Sequence, residues 1–122
     1  MKIQKMYISG AQPSAPFLKE IQVMRADTFV TRLVGLMFRR ALPPATGLLL
    51  APCNSVHMCF MRFAIDVIYI DKGYNIIKVV NSLKPWIGLS MCGKAWAVLE
   101  MNAGEAERCG IAVGKRLVLK EQ

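Results

Sequence analysis

Residues 63–80 read F-A-I-D-V-I-Y-I-D-K-G-Y-N-I-I-K-V-V and carry the strongest hairpin signal in the chain. Two runs rich in isoleucine, valine and tyrosine flank the turn sequence D-K-G, a pattern typical of two antiparallel strands joined by a short turn. We therefore expect residues 63–70 and 74–80 to pair as a β-hairpin.

The clearest helix signal lies upstream, in residues 27–40. Asp27 is a good N-cap, and the apolar residues of this segment cover most of the helix circumference, which favours a helix laid on a sheet. Arg39 and Arg40 suit the partial negative charge of the last carbonyls, and the two prolines that follow forbid continuation. This segment is predicted to be the main helix of the fold.

Shorter elements fill the remainder of the chain. Residues 102–109 predict a short second helix, capped by Asn102 and ended by Gly110. Residues 81–93, which contain a proline and two glycines, predict a long loop. Alternating apolar and polar residues, or short apolar runs between breakers, predict further strands. These strands are 1–8, expected at a sheet edge, then 17–24, 47–51, 55–60, 94–101 and 115–120.

Length and composition indicate one folded unit. The chain has 122 residues, of which 54% are hydrophobic, so we expect a single domain over residues 1–122 and no extensive disorder. Its compact core is predicted over about residues 16–120, after a linker-like stretch at residues 9–16. No apolar run reaches the ~18 residues of a membrane span. The first residues do not resemble a secretory signal, so the sequence predicts a cytoplasmic protein.

The four cysteines and the net charge of +8 indicate the redox compartment and the kind of binding partner. The cysteines form no C-x-x-C pair, which predicts free thiols in a reducing compartment. The basic residues are scattered along the chain, and no signature of a nucleic-acid-binding module is present. A solubilising positive surface is therefore favoured over a nucleic-acid interface.

The candidate chemistry centres on Asp66, which lies mid-strand between Ile65 and Val67. A buried carboxylate requires hydrogen-bond donors, because leaving it unpaired costs several kcal/mol. The sequence offers backbone N–H groups as donors, or the side chains of His57, Arg62 and Arg32. Asp66 is a candidate for a structural anchor and equally for a site residue.

The turn between the strands predicted at 55–60 and 63–70 decides what lies opposite Asp66. A two-residue turn sets His57 there, whereas a three-residue turn sets Met58 there. The residues alone leave both registers open.

Metal and thiol chemistry are weaker hypotheses. Cys53, His57 and Cys59 are residue types that zinc binds, but C-x3-H-x-C is not a standard spacing and a fourth ligand is not evident, so no metal is favoured and no cofactor is expected. A hydrolase with His57 as base and Cys59 or Cys53 as nucleophile would also need an oxyanion donor and an orienting group, and neither can be identified.

Several motifs together resemble the Domain of Unknown Function 192 family over about residues 17–120. The late L-E-M-N-A-G supplies Leu99, Glu100 and Gly104, and the departure from the family pattern falls at Met58 and Cys59, where a threonine and an aromatic residue are usual. The other matching motifs are R-x-x-G-L-M-x-R-x-x-L from Arg32, the strand G-L-L-L, and V-H-x-x-x-M-R-F-x-I-D-V-I-Y-I-D with Met61, Arg62 and Asp66. The resemblance implies a small α+β domain with a largely antiparallel, barrel-like sheet, and no established activity.

The sequence thus predicts an α+β protein whose most favoured function is non-catalytic binding of a small polar ligand or an extended peptide. The predicted cleft is lined by His57, Asp66, Arg62, Arg32 and Trp86. A thiol- or metal-dependent hydrolase using the same cleft is the alternative, and a weak nucleic-acid binder is the third reading. Whether the protein is an enzyme, and its oligomeric state, are not decided by the residues.

Overall fold

The structure is a computed structural model that describes residues 2–9, 20–26, 42–59 and 61–119. These residues form nine strands and one short helix, α1, at Glu105–Arg108. In chain order the strands are β1 Lys2–Ser9, β2 Glu20–Ala26, β3 Thr46–Leu50, β4 Ser55–His57, β5 Ile65–Ile70, β6 Ile76–Leu83, β7 Leu89–Met91, β8 Ala97–Asn102 and β9 Arg116–Leu119.

Seven of these strands form the main sheet, in the order β6-β5-β8-β3-β2-β1-β9. Every neighbouring pair is antiparallel except β2 and β3, which are parallel. The predicted hairpin is confirmed as β5 and β6. The remaining strands, β4 and β7, pair with each other as a separate two-stranded ribbon.

The central strands are buried on both faces. All six residues of β5 and all five of β3 are buried, which matches their largely apolar sequences. Side chains alternate between two cores, so that Ile68 and Ile70 of β5 lie in one and Val67 and Tyr69 in the other. The first core also contains residues of α1, and the second contains Val56 from the ribbon.

Two features of the predicted architecture need correction. The described strands do not close into a barrel, because the edge strands β6 and β9 form no ladder with each other. The segments there are joined by an isolated bridge between Asn75 and Arg116 and by a few further hydrogen bonds. The short helix is present but spans only Glu105–Arg108, and Asn102 does not cap it. The Asn102 side chain instead bonds both backbone groups of Leu42, accepting from its N–H at 2.9 Å and donating to its carbonyl at 2.6 Å. The main helix predicted at residues 27–40 lies outside the described residues.

Three local expectations were also wrong. The first strand lies inside the sheet, between β2 and β9, and not at an edge. Residues 81–93 are not a loop throughout, because β6 continues to Leu83 and β7 follows. The segment predicted as strand 55–60 pairs with β7 and not with β5, since the turn after β6 returns the chain beside β4.

Among the described residues, no helix combines the length and the apolar character needed to cross a bilayer.

The two-core arrangement predicts a large difference between two leucines of the main sheet. Leu99 of β8 is fully buried, whereas Leu119 of β9 is 51% exposed. Leu99→Ala should lower the free energy of unfolding by about 2–5 kcal/mol, and Leu119→Ala by about 0.5 kcal/mol or less. Urea denaturation of both variants measures this, and equal losses would contradict the central position of β8.

Candidate functional site

A cleft of about 660 Å³ opens where β5 ends and β8 begins. Ile70, the last residue of β5, pairs with Ala97, the first of β8, so the turns at residues 71–73 and 94–96 lie side by side. A third segment follows β3 and completes the wall. We call this the Trp96 cleft; its lining consists of Pro52, Cys53, Asn54, Asp71, Lys72, Gly73, Lys94, Ala95 and Trp96.

Trp96 is held in the cleft wall by its backbone and by its ring. Its N–H donates to the Ile70 carbonyl at 2.9 Å, and its carbonyl accepts from the Cys53 N–H at 2.9 Å. The Tyr74 ring meets the indole edge-on with centroids 5.6 Å apart, and the Arg25 guanidinium lies 5.8 Å from the indole centroid. The indole therefore packs against Tyr74 and Arg25 in the wall of the cleft.

The charges of the cleft are two lysines and one carboxylate, and the carboxylate is occupied. Asp71 accepts the N–H groups of Gly73 and Asn75 at 2.9 and 3.0 Å and also the Asn75 side-chain amide. The bonds from Asn75, with a smaller share from Gly73, hold the pKa of Asp71 below its ordinary value. Lys72 and Lys94 have no ion-pair partner among the residues that the structure describes. With two lysines and one carboxylate, the cleft lining carries a net positive charge beside an aromatic wall.

Asp66 lies in the protein core, fully buried, with three backbone donors. Its Oδ1 accepts the Ser82 N–H at 2.9 Å, and its Oδ2 accepts the N–H groups of Gly104 and Ala106 at 2.9 and 3.0 Å. The last two donors belong to the first turn of α1, where Gly104 is the N-cap with φ of +90°. Asp66 therefore caps this helix from another strand and joins it to the end of β6.

Neither of the two registers that the sequence left open, with His57 or with Met58 opposite Asp66, is present. His57 ends β4, where it pairs with Leu89 of β7, and its side chain is exposed. Asp66 pairs with Met101 of β8 and takes its hydrogen bonds from backbone groups alone. His57 and Asp66 thus lie on strands of different sheets.

The other candidate residues divide between the ribbon and the part of the chain that is not described. The Trp86 N–H donates to the Met58 carbonyl at 2.7 Å, which places the Trp86 backbone beside the residue that follows His57 at the end of β4. Arg62 follows the same segment and is exposed. Arg32 lies outside the described residues. The turn before β7 therefore lies beside the end of β4, whereas Asp66 lies on β5 in the main sheet.

The three weak metal candidates do not assemble. Within residues 2–9, 20–26, 42–59 and 61–119, no group of three His, Cys, Asp or Glu side chains has the geometry to hold a metal ion. Cys53 lines the Trp96 cleft, where its thiol donates to the Ser55 carbonyl at 3.2 Å, whereas Cys59 is exposed. All four cysteines are free thiols.

Glu100 is a buried carboxylate with an unusual environment. It lies on β8 between Leu48 of β3 and Val67 of β5 and is 6% exposed. Because desolvation disfavours its charged form, burial raises the pKa of Glu100 to about 7. The charge of Glu100 therefore changes with pH near neutrality.

No motif in the sequence indicated directly that Lys72, Lys94 and Trp96 would line the same cleft. A signal was nonetheless present, because Lys72 and Lys94 each adjoin a glycine at a turn next to an apolar strand. Once those strands pair antiparallel as β5 and β8, the two turns must lie at the same end of the sheet. The sequence predicted that β5 pairs with β6, but it did not indicate that β8 pairs with the other edge of β5.

The geometry of Asp66 predicts that Asp66→Asn destabilises the fold strongly. An amide has one acceptor oxygen, so at least one of the three buried N–H groups would face an NH₂ group. We expect a loss of about 2–4 kcal/mol in the free energy of unfolding. Asp71→Asn is the matched control, since it also accepts several N–H groups but at an exposed turn, and its loss should be clearly smaller. Equal losses in urea denaturation would contradict the anchor role.

Glu100 predicts a pH dependence of stability near neutrality. The pKa of Glu100 is 4.5 in its ordinary setting and about 7 in the fold. Between these two pH values the native state therefore keeps a proton that the unfolded chain has lost. The stabilisation is complete below pH 4.5 and disappears as pH rises through about 7, a total of about 3 kcal/mol. Glu100→Gln should remove this decline and exceed the wild type in stability above pH 7. Urea denaturation over a range of pH measures this. If the free energies of unfolding of the wild type and Glu100→Gln ran parallel with pH, the raised pKa of Glu100 would be contradicted.

Comparison with known proteins places this chain among uncharacterised relatives. The DUF192 family, described as Uncharacterized ACR, matches residues 11–119. A UPF0127 protein of Pyrococcus furiosus is 35% identical over 102 residues, which cover 80% of this chain and 85% of the relative. A UPF0127 protein of Pyrococcus horikoshii is 36% identical over 72 residues, or 55% of this chain and 60% of that relative.

Solved structures share the fold. A candidate transcription regulator from Sinorhizobium meliloti 1021 superposes with a TM-score of 0.85 at 22% identity, covering 97% of this chain and 94% of that one. A protein of unknown function from Novosphingobium aromaticivorans gives a TM-score of 0.81 at 23% identity, covering 94% and 84%. These likenesses show a common fold alone. The family match and the Pyrococcus furiosus relative show more: this chain belongs to the DUF192 family, whose curated members are named UPF0127 proteins.

Proposed function

We propose that this protein is a non-catalytic binding module whose Trp96 cleft holds a small anionic ligand with a flat apolar group. The observation that carries the proposal is the placement of Lys72, Lys94 and Trp96 in the lining of one cleft. The cleft volume of about 660 Å³ falls within the range of small-molecule sites, roughly 300–1,000 Å³.

The chemistry of the lining selects for charge and shape together. Lysine ammonium groups bind phosphate and carboxylate oxygens as point charges. Asp71 offsets only one of the two positive charges, and its oxygens accept hydrogen bonds from Gly73 and Asn75. The indole of Trp96 offers a flat surface for an aromatic or other planar group. A ligand that has both parts satisfies both features of the cleft.

The same cleft gives little support to the hydrolase hypothesis. That hypothesis needs the single histidine beside a cysteine to act as a base. Cys53 lines the cleft, but His57 lies on the ribbon and is not part of the lining. Binding without reaction is therefore the function that the arrangement supports better.

Phenyl phosphate, which joins a dianion to a flat ring, is a suitable probe. In a Trp86→Phe background only Trp96 remains as a tryptophan, and its fluorescence should change in a saturable way as phenyl phosphate is added. Adding Lys72→Ala and Lys94→Ala together should weaken binding by about tenfold or more, about 1.4 kcal/mol. Inorganic phosphate, which lacks the ring, should bind more weakly.

Lys84→Ala is the matched control, because it also removes an exposed lysine but lies outside the cleft. It should bind phenyl phosphate like its parent. If the double lysine variant bound equally well, or if no binding occurred, the proposed site would be wrong. Release of phenol during the titration would instead favour a hydrolase.

A further inference from the structure

The ribbon presents a contiguous apolar surface to solvent. We call it the ribbon patch; it consists of Trp86, Ile87, Leu89 and Met91, which are 57, 79, 74 and 67% exposed. Single exposed apolar residues are common on protein surfaces, but four large ones within six positions of one turn and strand are not. Such a patch indicates an interaction surface.

The register of the ribbon fixes the outward direction of this patch. Leu89 and Met91 pair directly with His57 and Ser55, so all four side chains share one face of the ribbon. The opposite face packs on the main sheet. There Val56 is buried, and Ser90 accepts a hydrogen bond from the Tyr69 hydroxyl at 2.9 Å. Because one face is anchored, Leu89 and Met91 cannot turn inward without breaking the β4–β7 pairing.

The turn that carries Trp86 and Ile87 is held in a defined conformation. Trp86 has φ of +68°, which is unusual for a bulky residue, and its N–H donates to Met58. The Gly88 N–H donates to the Lys84 carbonyl at 3.0 Å. A side chain at Gly88 would approach that carbonyl oxygen to 2.5 Å, so only glycine fits. The fold thus maintains an apolar turn that projects into solvent.

The chain segments that form and flank the ribbon carry positive charge and no negative charge. Residues 54–64 and 77–95 contain Arg62, Lys78, Lys84 and Lys94 and no aspartate or glutamate. Lys84 lies two residues before Trp86, and the Lys78 ammonium donates to the Met91 carbonyl at 2.9 Å. An occupant of this surface must therefore combine an apolar interior with negative charge around it.

We propose that the ribbon patch docks this protein on an anionic membrane surface. Trp86 and Ile87 at the turn, with Leu89 and Met91 beside them, enter the boundary between headgroups and acyl chains, where tryptophan is favoured. Arg62, Lys84 and Lys94 meet the anionic headgroups. The apolar side chains protrude from a turn and a ribbon face, a shape that a fluid interface accepts without a complementary groove. An acidic protein partner would need such a groove.

Vesicle flotation tests this proposal with the full-length chain. The wild type should float with vesicles of phosphatidylcholine containing about 30% phosphatidylserine, and binding should weaken when NaCl is raised to about 0.5 M. Ile87→Asp should reduce the bound fraction by about tenfold or more, because it sets a charge on the apolar turn. Lys84→Ala should weaken binding by about fivefold. Val113→Asp, at another residue that is 63% exposed, should bind like the wild type.

A second measurement reports insertion directly. Lipids brominated on the acyl chain should quench the wild-type fluorescence and should not quench Trp86→Phe, whose remaining tryptophan lies in the Trp96 cleft. Absence of flotation would overturn the proposal, as would equal flotation of Ile87→Asp, which would indicate attraction by net charge alone. Binding of an acidic protein through the patch without any vesicle binding would also overturn it.

Discussion

The fold depends on how one buried carboxylate is satisfied. Asp66 accepts three backbone N–H groups, one from Ser82 in β6 and two from the first turn of α1. Asp66 thereby joins β5, β6 and α1. A helix of only four residues would not be held in place by its packing alone. Because β6 is an edge strand of the main sheet, the same bond also anchors one end of its pairing with β5. A neutral side chain of the same shape would leave part of this set unpaired.

The position of β5 determines where the candidate sites lie. With β6 on one side and β8 on the other, the carboxyl end of β5 meets the start of β8 and brings the turns of the Trp96 cleft together. The Tyr69 hydroxyl at this end of the strand reaches Ser90, which attaches the ribbon to the main sheet. One buried strand thus positions a small-molecule cleft and, through a single hydrogen bond and apolar packing, a separate exposed surface.

Local patterns in the sequence predicted local structure well and long-range pairing poorly. The β5–β6 hairpin, the strands β3, β8 and β9 and the short helix near residue 105 follow from periodicity and turn residues. The pairing of β4 with β7 does not follow from the sequence. A strand of three residues has too few alternating positions to indicate whether it pairs with β5 or with β7. The interior place of β1 depends on Leu117 and its neighbours more than a hundred residues away. For Asp66, the sequence indicated that donors were needed, but not that Gly104 and Ala106 would supply them.

Asp66 and Glu100 show two different ways in which this fold treats a buried carboxyl group. Asp66 is surrounded by N–H groups, so its charge is stabilised by the backbone and serves structure. Glu100 lies one pair further along β5 and β8, opposite Val67 and beside Leu48, and there burial raises its pKa. A glutamic acid that is neutral below about pH 7 packs as a polar but uncharged side chain, and above that pH it costs stability. The residue therefore makes the second core, which underlies the ribbon, weaker in alkaline than in acidic solution.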